Sequence, residues 1–572
     1  MNMFEMFSRS LRLHADKPAV ISGTGAARRE VSYRELDRQI DTVCAQLAAA
    51  GLDAGDRVLL AVPPSIETYV VMLAMMKSGI VTMVIDPAHG ARQVSEILRE
   101  WPPDAIIASR SVLLLGLLVP ELRRISIRFS ATGRFAGATQ LSFGIASLTR
   151  RDTRPRSPAD SALLTFTSGS TGMPKPVVRT HGFLRQQLLA LKTIADVADD
   201  DVDFVAMPLF VLFNLAHGIT SILPACDMKH PGRADPGIVY DQLTTENVNR
   251  MVAAPAMLDR LARYCNRRHR RLPNIRLIAT GGGPVSPTLP GRLQAVAQNS
   301  VIRMVYGSTE AEPIAAVDHQ QVSVTVRRRM RGGGGLLAGR PVHGCDVAVV
   351  SSRPGVEVPP LSASEFDGLK CPVQEIGEIV VAGRHVLSGY ADSTRNASTK
   401  IPVDDRIWHR TGDAGYFDEN GMLWLVGRQD AAIHDALGTV YPFQVEYALS
   451  ELPGIRRAAL TRRNGVRTLV LELRGGSISM GSGEAAACIA SHHIERIVTV
   501  RRIPLDKRHN SKIDYPALSR MLDGRASGVR LGIVDALSRS FRELRHVCRR
   551  FTRYCQSMTT ATKVGECRIK TK

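Results

Sequence analysis

Six hydroxyl and glycine residues, Thr167, Ser168, Gly169, Ser170, Thr171 and Gly172, run together, and Lys175 follows three residues after the last of them. Glycines let backbone N–H groups turn toward a common point, hydroxyls donate hydrogen bonds, and a lysine adds a point charge. A stretch of this composition suits an anion, with a phosphate chain as its natural cargo. The spacing is not that of the common P-loop, because Met173 and Pro174 separate Gly172 from Lys175. Upstream, Ala162 to Phe166 form an apolar and β-branched run expected to be a buried strand. Beyond His181, the apolar residues Phe183, Leu184, Leu188, Leu189 and Leu191 recur at helical spacing. A strand, this loop, the lysine and a helix would together form the cradle.

Four further stretches carry residue types of the same chemistry. Ala279 to Pro284 ends an apolar run in Gly281, Gly282 and Gly283, where backbone can approach a flat base closely. Met304 to Glu310 combines an aromatic ring (Tyr306), a glycine (Gly307), a hydroxyl (Thr309) and a carboxylate (Glu310). A hard cation takes oxygen ligands of this kind, usually with phosphate oxygens as well. A buried tyrosine followed by a helix-capping Thr-Glu pair would read the same way. His409 to Asp413 presents an aspartate after Thr411 and Gly412, and Val426 to Asp430 presents Arg428 and Asp430. Pro504 to Ile513 is a polar loop holding two lysines, Lys507 and Lys512.

Taken in order from residue 164 to 512, these motifs resemble the adenylate-forming superfamily of acyl-CoA synthetases, peptide-synthetase adenylation domains and luciferases. The resemblance implies ATP and Mg²⁺, with CoA admitted as an acceptor but not required. It implies that residues 167–172 and Lys175 hold phosphates and that Gly281, Gly282 and Gly283 approach adenine. Tyr306, followed by Gly307, would stack on that base, Thr309 would meet the α-phosphate, and Glu310 would help hold the metal. Asp413 would accept the ribose hydroxyls and Arg428 would reach the ribose. Asp430 would be the hinge of a small domain, and Lys512 would bridge the carboxylate and the α-phosphate. Lys507 competes for that last role, and the Asn510-Ser511-Lys512-Ile513 context favours Lys512. Pro176 departs from the family, which usually has glycine after the lysine; it stiffens the loop exit and removes one N–H.

The segment Pro208 to Gly218 falls where the family holds its acyl group, and Phe210, Phe213 and His217 are its candidate lining. Its apolar content suits an alkyl chain, and it offers no acidic residue to meet an amino group. Several details are similar to one branch, the bacterial β-lactone synthetases of olefin and natural-product biosynthesis. They include Val84 to Gly90, the Pro208-Leu209-Phe210 start without a histidine, Tyr306 to Pro313, Trp408 to Arg410 and Arg508 to Lys512. That branch adenylates a β-hydroxy acid, whose own hydroxyl then displaces AMP. A fatty acyl-CoA or acyl-AMP ligase is the alternative, and a degenerate binding protein is the non-enzymatic one.

The elements that must position these residues follow from the patterning. Short apolar strands alternate with amphipathic helices through the first third and resume after the loop, which predicts parallel sheets flanked by helices. From Gly344 the texture becomes β-rich, and Val440 to Asp514 reads as α+β. The expectation is an α/β chain in three parts: a large N-terminal domain (1–427) of parallel-rich sheets plus a β-rich portion, a small mobile α+β domain (428–524), and a basic amphipathic tail (525–572). Gly332 to Gly335, after a basic run, reads as a mobile loop.

Hydrophobic content of 44% and charge of 22% are those of a globular protein. No basic segment followed by an apolar core marks the N-terminus, and nine cysteines without a Cys-x-x-Cys pair suggest neither zinc nor disulfides. A cytoplasmic enzyme acting on a small-molecule carboxylic acid fits best. The net charge of +20 does not point to nucleic acid, because the tail from Arg525 carries 12 Lys/Arg against 3 Asp/Glu and the rest is diffuse. In that tail Leu531, Val534, Leu537, Phe541, Leu544, Cys548 and Phe551 share one helical face, with arginines mostly off it. Such a helix either meets a membrane surface or partner protein, or packs on its own domain.

Overall fold

A computed structural model describes residues 2–523 apart from 87–88, 117–118, 145–150, 168–173, 228–230, 352–355, 451, 453, 475–483 and 506–512. Ser168, Gly169, Ser170, Thr171, Gly172, Lys507, Lys512 and the tail therefore lie outside the described residues. The chain clusters into two units. One gathers Met1–Ser323 with Leu337–Leu425; the other gathers Val324–Leu336, Val426–Leu505 and the chain from Ile513.

In the first unit one sheet runs in the order Thr139–Gln140, Ile127–Thr132, Ala105–Ser109, Arg57–Ala61, Val81–Val84, Ser161–Thr167, Lys175–Thr180. All neighbours are parallel except the last pair. Ala105–Ser109 is buried along its whole length, as a parallel strand covered on both faces should be. The flanking helices start and stop where local chemistry dictates. Ser32 and Glu35 form a reciprocal capping box ahead of Tyr33–Ala49. Ser65 accepts from the Thr68 N–H at the start of Ile66–Ser78, and Gly79, at φ 74°, ends that helix in the left-handed region.

A second sheet of the same unit carries the parallel strands Pro18–Ser22, Thr220–Ile222, Val202–Val205, Arg250–Val252, Leu277–Gly281 and Val301–Ser308. Ala311–Asp318 then folds back antiparallel on Val301–Ser308. The β-rich portion is antiparallel, with Gly377–Gly383 between Cys345–Val350 and Arg406–Phe417, and Lys400–Val403 paired on the latter. Its anchor is Trp424, fully buried, stacked on Tyr416 and donating its indole N–H to Asp418 at 2.9 Å. Among the described residues no helix is long and apolar enough to cross a membrane.

The second unit is α+β. Val466–Leu473 pairs antiparallel with Ile455–Arg463 and parallel with Arg496–Val500, and Pro442–Leu449, Glu484–Ser491 and Tyr515–Leu522 are its helices. Leu449, Leu460, Leu469 and Leu471 make its core.

The helix begins at His181, as the spacing predicts, but an element not expected from the sequence precedes it: Lys175 opens the strand Lys175–Thr180, hydrogen-bonded antiparallel to Ser161–Thr167. Val177 and Val178 have the β-branched character that this hairpin uses. One expectation needs correction: Gly332 to Gly335 is not a mobile loop but falls largely within a helical turn. Met330–Gly334 is a helical turn whose Gly333 carbonyl accepts from Gln444 Nε2 at 3.0 Å. Gly333 sits at φ 91°, and a Cβ there would fall 2.8 Å from His492, so this glycine serves close packing.

Candidate functional site

Thr167 is the last residue of its strand and pairs with Lys175, so strand pairing brings together the two ends of the segment that holds the hydroxyl and glycine run. In the second sheet Gly281 ends its strand in register with Val305, one residue before Tyr306. A Cβ on Gly281 would stand 2.5 Å from the Val305 carbonyl oxygen, so only glycine allows this approach. Gly282 follows at φ 73° and is exposed, with Gly283 half-buried after it. Thr167 and Gly281 each stand at the carboxyl end of a strand paired in parallel, where such sheets bind ligands.

Strand Val301–Ser308 ends in a bulge at Gly307, and a Cβ there would lie 3.1 Å from the Ala311 carbonyl. The bulge presents Tyr306, while Thr309 and Glu310 form the turn into Ala311–Asp318. The Tyr306 hydroxyl donates to Asp413 Oδ2 at 2.7 Å, and Asp413 is set by its own N–H donating to Thr411 Oγ1 at 3.0 Å. The Thr309 carbonyl accepts from Arg179, on the strand that Lys175 begins, at 3.3 Å.

Glu310 is held at both ends. Its carbonyl accepts the Leu387 N–H at 2.8 Å, and its Oε1 accepts the Tyr390 hydroxyl at 2.8 Å. Burial opposes its charge, but His409, the Tyr390 hydroxyl, a backbone N–H and Lys400 together outweigh burial and hold the carboxyl below its usual range. The Tyr390 ring lies 5.9 Å from Lys175 Nζ and 5.4 Å from Lys400 Nζ. Lys400 is 4% exposed, bonded to the Leu387 carbonyl and to His409 Nδ1. Burial lowers it to about 7, with Glu310 opposing, and burial together with Lys400 pushes His409 down to about 3.

The first unit thus brings Lys175, Tyr306, Thr309, Glu310 and Asp413 into one connected set, through Tyr390 on one side and the Tyr306 hydroxyl on the other. Arg428 and Asp430 belong to the second unit, where they pair with each other at 3.7 Å and are both exposed. In the acyl segment, helix Pro208–His217, Phe213 is buried in the main core and Phe210 packs half-buried against it. His217, also half-buried, lies with its ring 4.4 Å from that of Phe213 and its Nδ1 2.8 Å from the Phe213 carbonyl. Tyr390 and Lys400 were not singled out from the sequence, and His409 stood in a quoted motif without a role. The one hint is that Lys400 and His409 lie nine positions apart and face each other across a hairpin.

The model of the AMP-binding enzyme family matches residues 7–391. This chain belongs to that family. Like other AMP-binding enzymes it is an adenylate-forming, acid-activating ligase that uses ATP. It is 32% identical to the olefin β-lactone synthetase of Xanthomonas campestris pv. campestris over 87% of this chain and 92% of that one. Its identity to the olefin β-lactone synthetase of Stenotrophomonas maltophilia is 31% over the same shares. The ATP-bound structure of MatB from Rhodopseudomonas palustris superposes with a TM-score of 0.73, covering 91% of this chain and 99% of that one at 21% identity, and so shares the fold. The AMP-binding match spans Lys175, Tyr306, Thr309, Glu310 and Tyr390.

Proposed function

We propose that this AMP-binding enzyme activates a long-chain β-hydroxy acid with ATP and closes it to a β-lactone. In the first step a carboxylate oxygen attacks the α-phosphorus, the bond to the β-phosphate oxygen breaks, and pyrophosphate leaves. In the second, the β-hydroxyl oxygen of the same molecule attacks the acyl carbon, its proton passes to solvent, and AMP departs with the electron pair of the broken C–O bond. Tethering supplies the nucleophile's effective concentration, so no thiol is needed. The observation that carries this reading is the similarity to two olefin β-lactone synthetases over 87% of the chain.

The residues take roles that suit this chemistry. Thr167 to Gly172 and Lys175 neutralise phosphate charge, and Gly281, Gly282, Gly283 and Tyr306, with Gly307, hold the base. Asp413 and Arg428 accept and reach the ribose, Thr309 meets the α-phosphate, Lys512 bridges the reacting groups, and Asp430 is the hinge. Stabilisation of transferring phosphoryl charge by positioned donors is the main catalytic term in such reactions. Phe210, Phe213 and His217 border the alkyl chain.

Glu310 suits a divalent cation: it is an anionic oxygen donor kept ionised, with one oxygen fixed by Tyr390. Among the described residues no three His, Cys, Asp or Glu side chains gather to hold a metal. Glu310 would therefore share Mg²⁺ with phosphate oxygens and water, as this ion prefers; the ion would supply charge neutralisation of the triphosphate.

Incubation with ATP and 3-hydroxyhexadecanoic acid, with and without CoA, tests the reading. AMP release and a lactone product without CoA are expected. AMP release that depends on CoA, with an acyl-CoA product, would replace it by a ligase acting on a thiol, as the name of a Bacillus subtilis relative, 26% identical over 75% of this chain, describes that protein.

A further inference from the structure

Glu310 is clamped by a segment to which the nucleotide chemistry above gives no role. Leu387 donates its N–H to the Glu310 carbonyl, and three residues later Tyr390 donates its hydroxyl to Glu310 Oε1, so one short stretch grips main chain and side chain together. That stretch is itself tied down. The Tyr390 N–H donates to Asn396 Oδ1 at 2.8 Å, Lys400 Nζ bonds the Leu387 carbonyl, and Tyr390 is 7% exposed. The ring that carries the hydroxyl lies within cation–π distance of two ammonium groups, Lys175 and Lys400, and edge-on to His409 at 6.4 Å.

We infer that Tyr390 is a positioning residue: its hydroxyl fixes one oxygen of Glu310 and so aims the other at the cation that accompanies the triphosphate. The inference rests on the proposed role of Glu310 as that cation's ligand. A tyrosine does this better than a second charge would. It orients the carboxylate without neutralising it, and its ring stands within cation–π distance of the Lys175 and Lys400 ammonium groups. A hydrogen bond to an ionised acceptor is worth more than a neutral one, and loss of its donor frees the carboxylate to rotate.

Tyr390→Phe keeps the ring and removes only the hydroxyl. The test is equilibrium binding of ATP across a Mg²⁺ series, and of AMP in EDTA, with the thermal midpoint of each protein. For Tyr390→Phe the Mg²⁺ concentration that half-saturates the gain in ATP affinity should rise about tenfold or more, while AMP affinity and the midpoint stay near wild type. A purely structural role would lower AMP affinity and the midpoint and leave the Mg²⁺ dependence unmoved, and that result overturns the inference. Glu310→Gln is measured beside it. If Glu310→Gln shifts the Mg²⁺ dependence and Tyr390→Phe does not, the positioning role fails alone. If neither shifts it, the assignment of Glu310 fails, and the role of Tyr390 with it.

Discussion

Replacing Gly281 by alanine tests how the second sheet builds the nucleotide end of the site. The added Cβ would stand 2.5 Å from the Val305 carbonyl oxygen, against about 3.4 Å for ordinary van der Waals contact. That oxygen is backbone in a neighbouring parallel strand, so no side chain can swing aside; the strands must part by up to about 1 Å. Forced overpacking of this kind costs about 1–3 kcal/mol. The displacement lands on Tyr306, the next residue, and a misplacement on the order of 1 Å can cost roughly a hundredfold in rate. Pyrophosphate release at varied ATP should therefore show kcat/KM for ATP falling by about one to two orders of magnitude, with a lower thermal midpoint. Gly291→Ala is the control, because nothing lies within 4 Å of its Cβ. If Gly281→Ala and Gly291→Ala were indistinguishable in both measurements, the close approach would not be what the glycine is for.

Asp413→Ala removes the partner of the Tyr306 hydroxyl and the proposed ribose acceptor; at about 1.5–3 kcal/mol for a hydrogen bond to a charged group, KM for ATP should rise roughly 10–100-fold. A KM within threefold of wild type would contradict that role. Lys512→Ala should abolish ATP–pyrophosphate exchange and leave the circular dichroism spectrum unchanged; normal exchange disproves the assignment. Burial lowers Lys400 from 10.5 to about 7, so the unfolded chain binds the extra proton between those values. Wild type should then gain stability relative to Lys400→Met as pH rises from about 7 to 10, and urea midpoints whose difference does not vary with pH would refute it. Burial raises Glu446 from 4.5 to about 7, against the Tyr515 and Leu460 hydrogen bonds, so wild type should lose stability relative to Glu446→Gln as pH rises from about 4.5 to 7. A difference that stays flat over that window would count against it.

Much of the architecture was legible because it depends on local pattern. The run Ala162 to Phe166 reads as a buried strand and is one, and Ser32 with Glu35 has the spacing of a capping box at a helix start. The glycines at 281–283 announced a close approach, since a side chain's absence is visible without any fold. What the polypeptide order could not disclose are the partners of those residues. The strand Lys175–Thr180 is short and begins Lys-Pro, so its two valines alone do not announce it, and pairing to Ser161–Thr167 is what makes it a strand. Val324–Leu336 joins the second unit through Gly333 and Met330, by contacts with Gln444 and Tyr447 more than a hundred positions away. The same holds for the Glu310 clamp. Glu310 and His409 stand in motifs visible in the sequence, Tyr390 and Lys400 do not, and only folding gives each the others as neighbours. Residue types set which chemistry the chain could host; burial and long-range pairing, which depend on the whole fold, decided which carboxylate is held charged and which lysine is pressed toward neutrality.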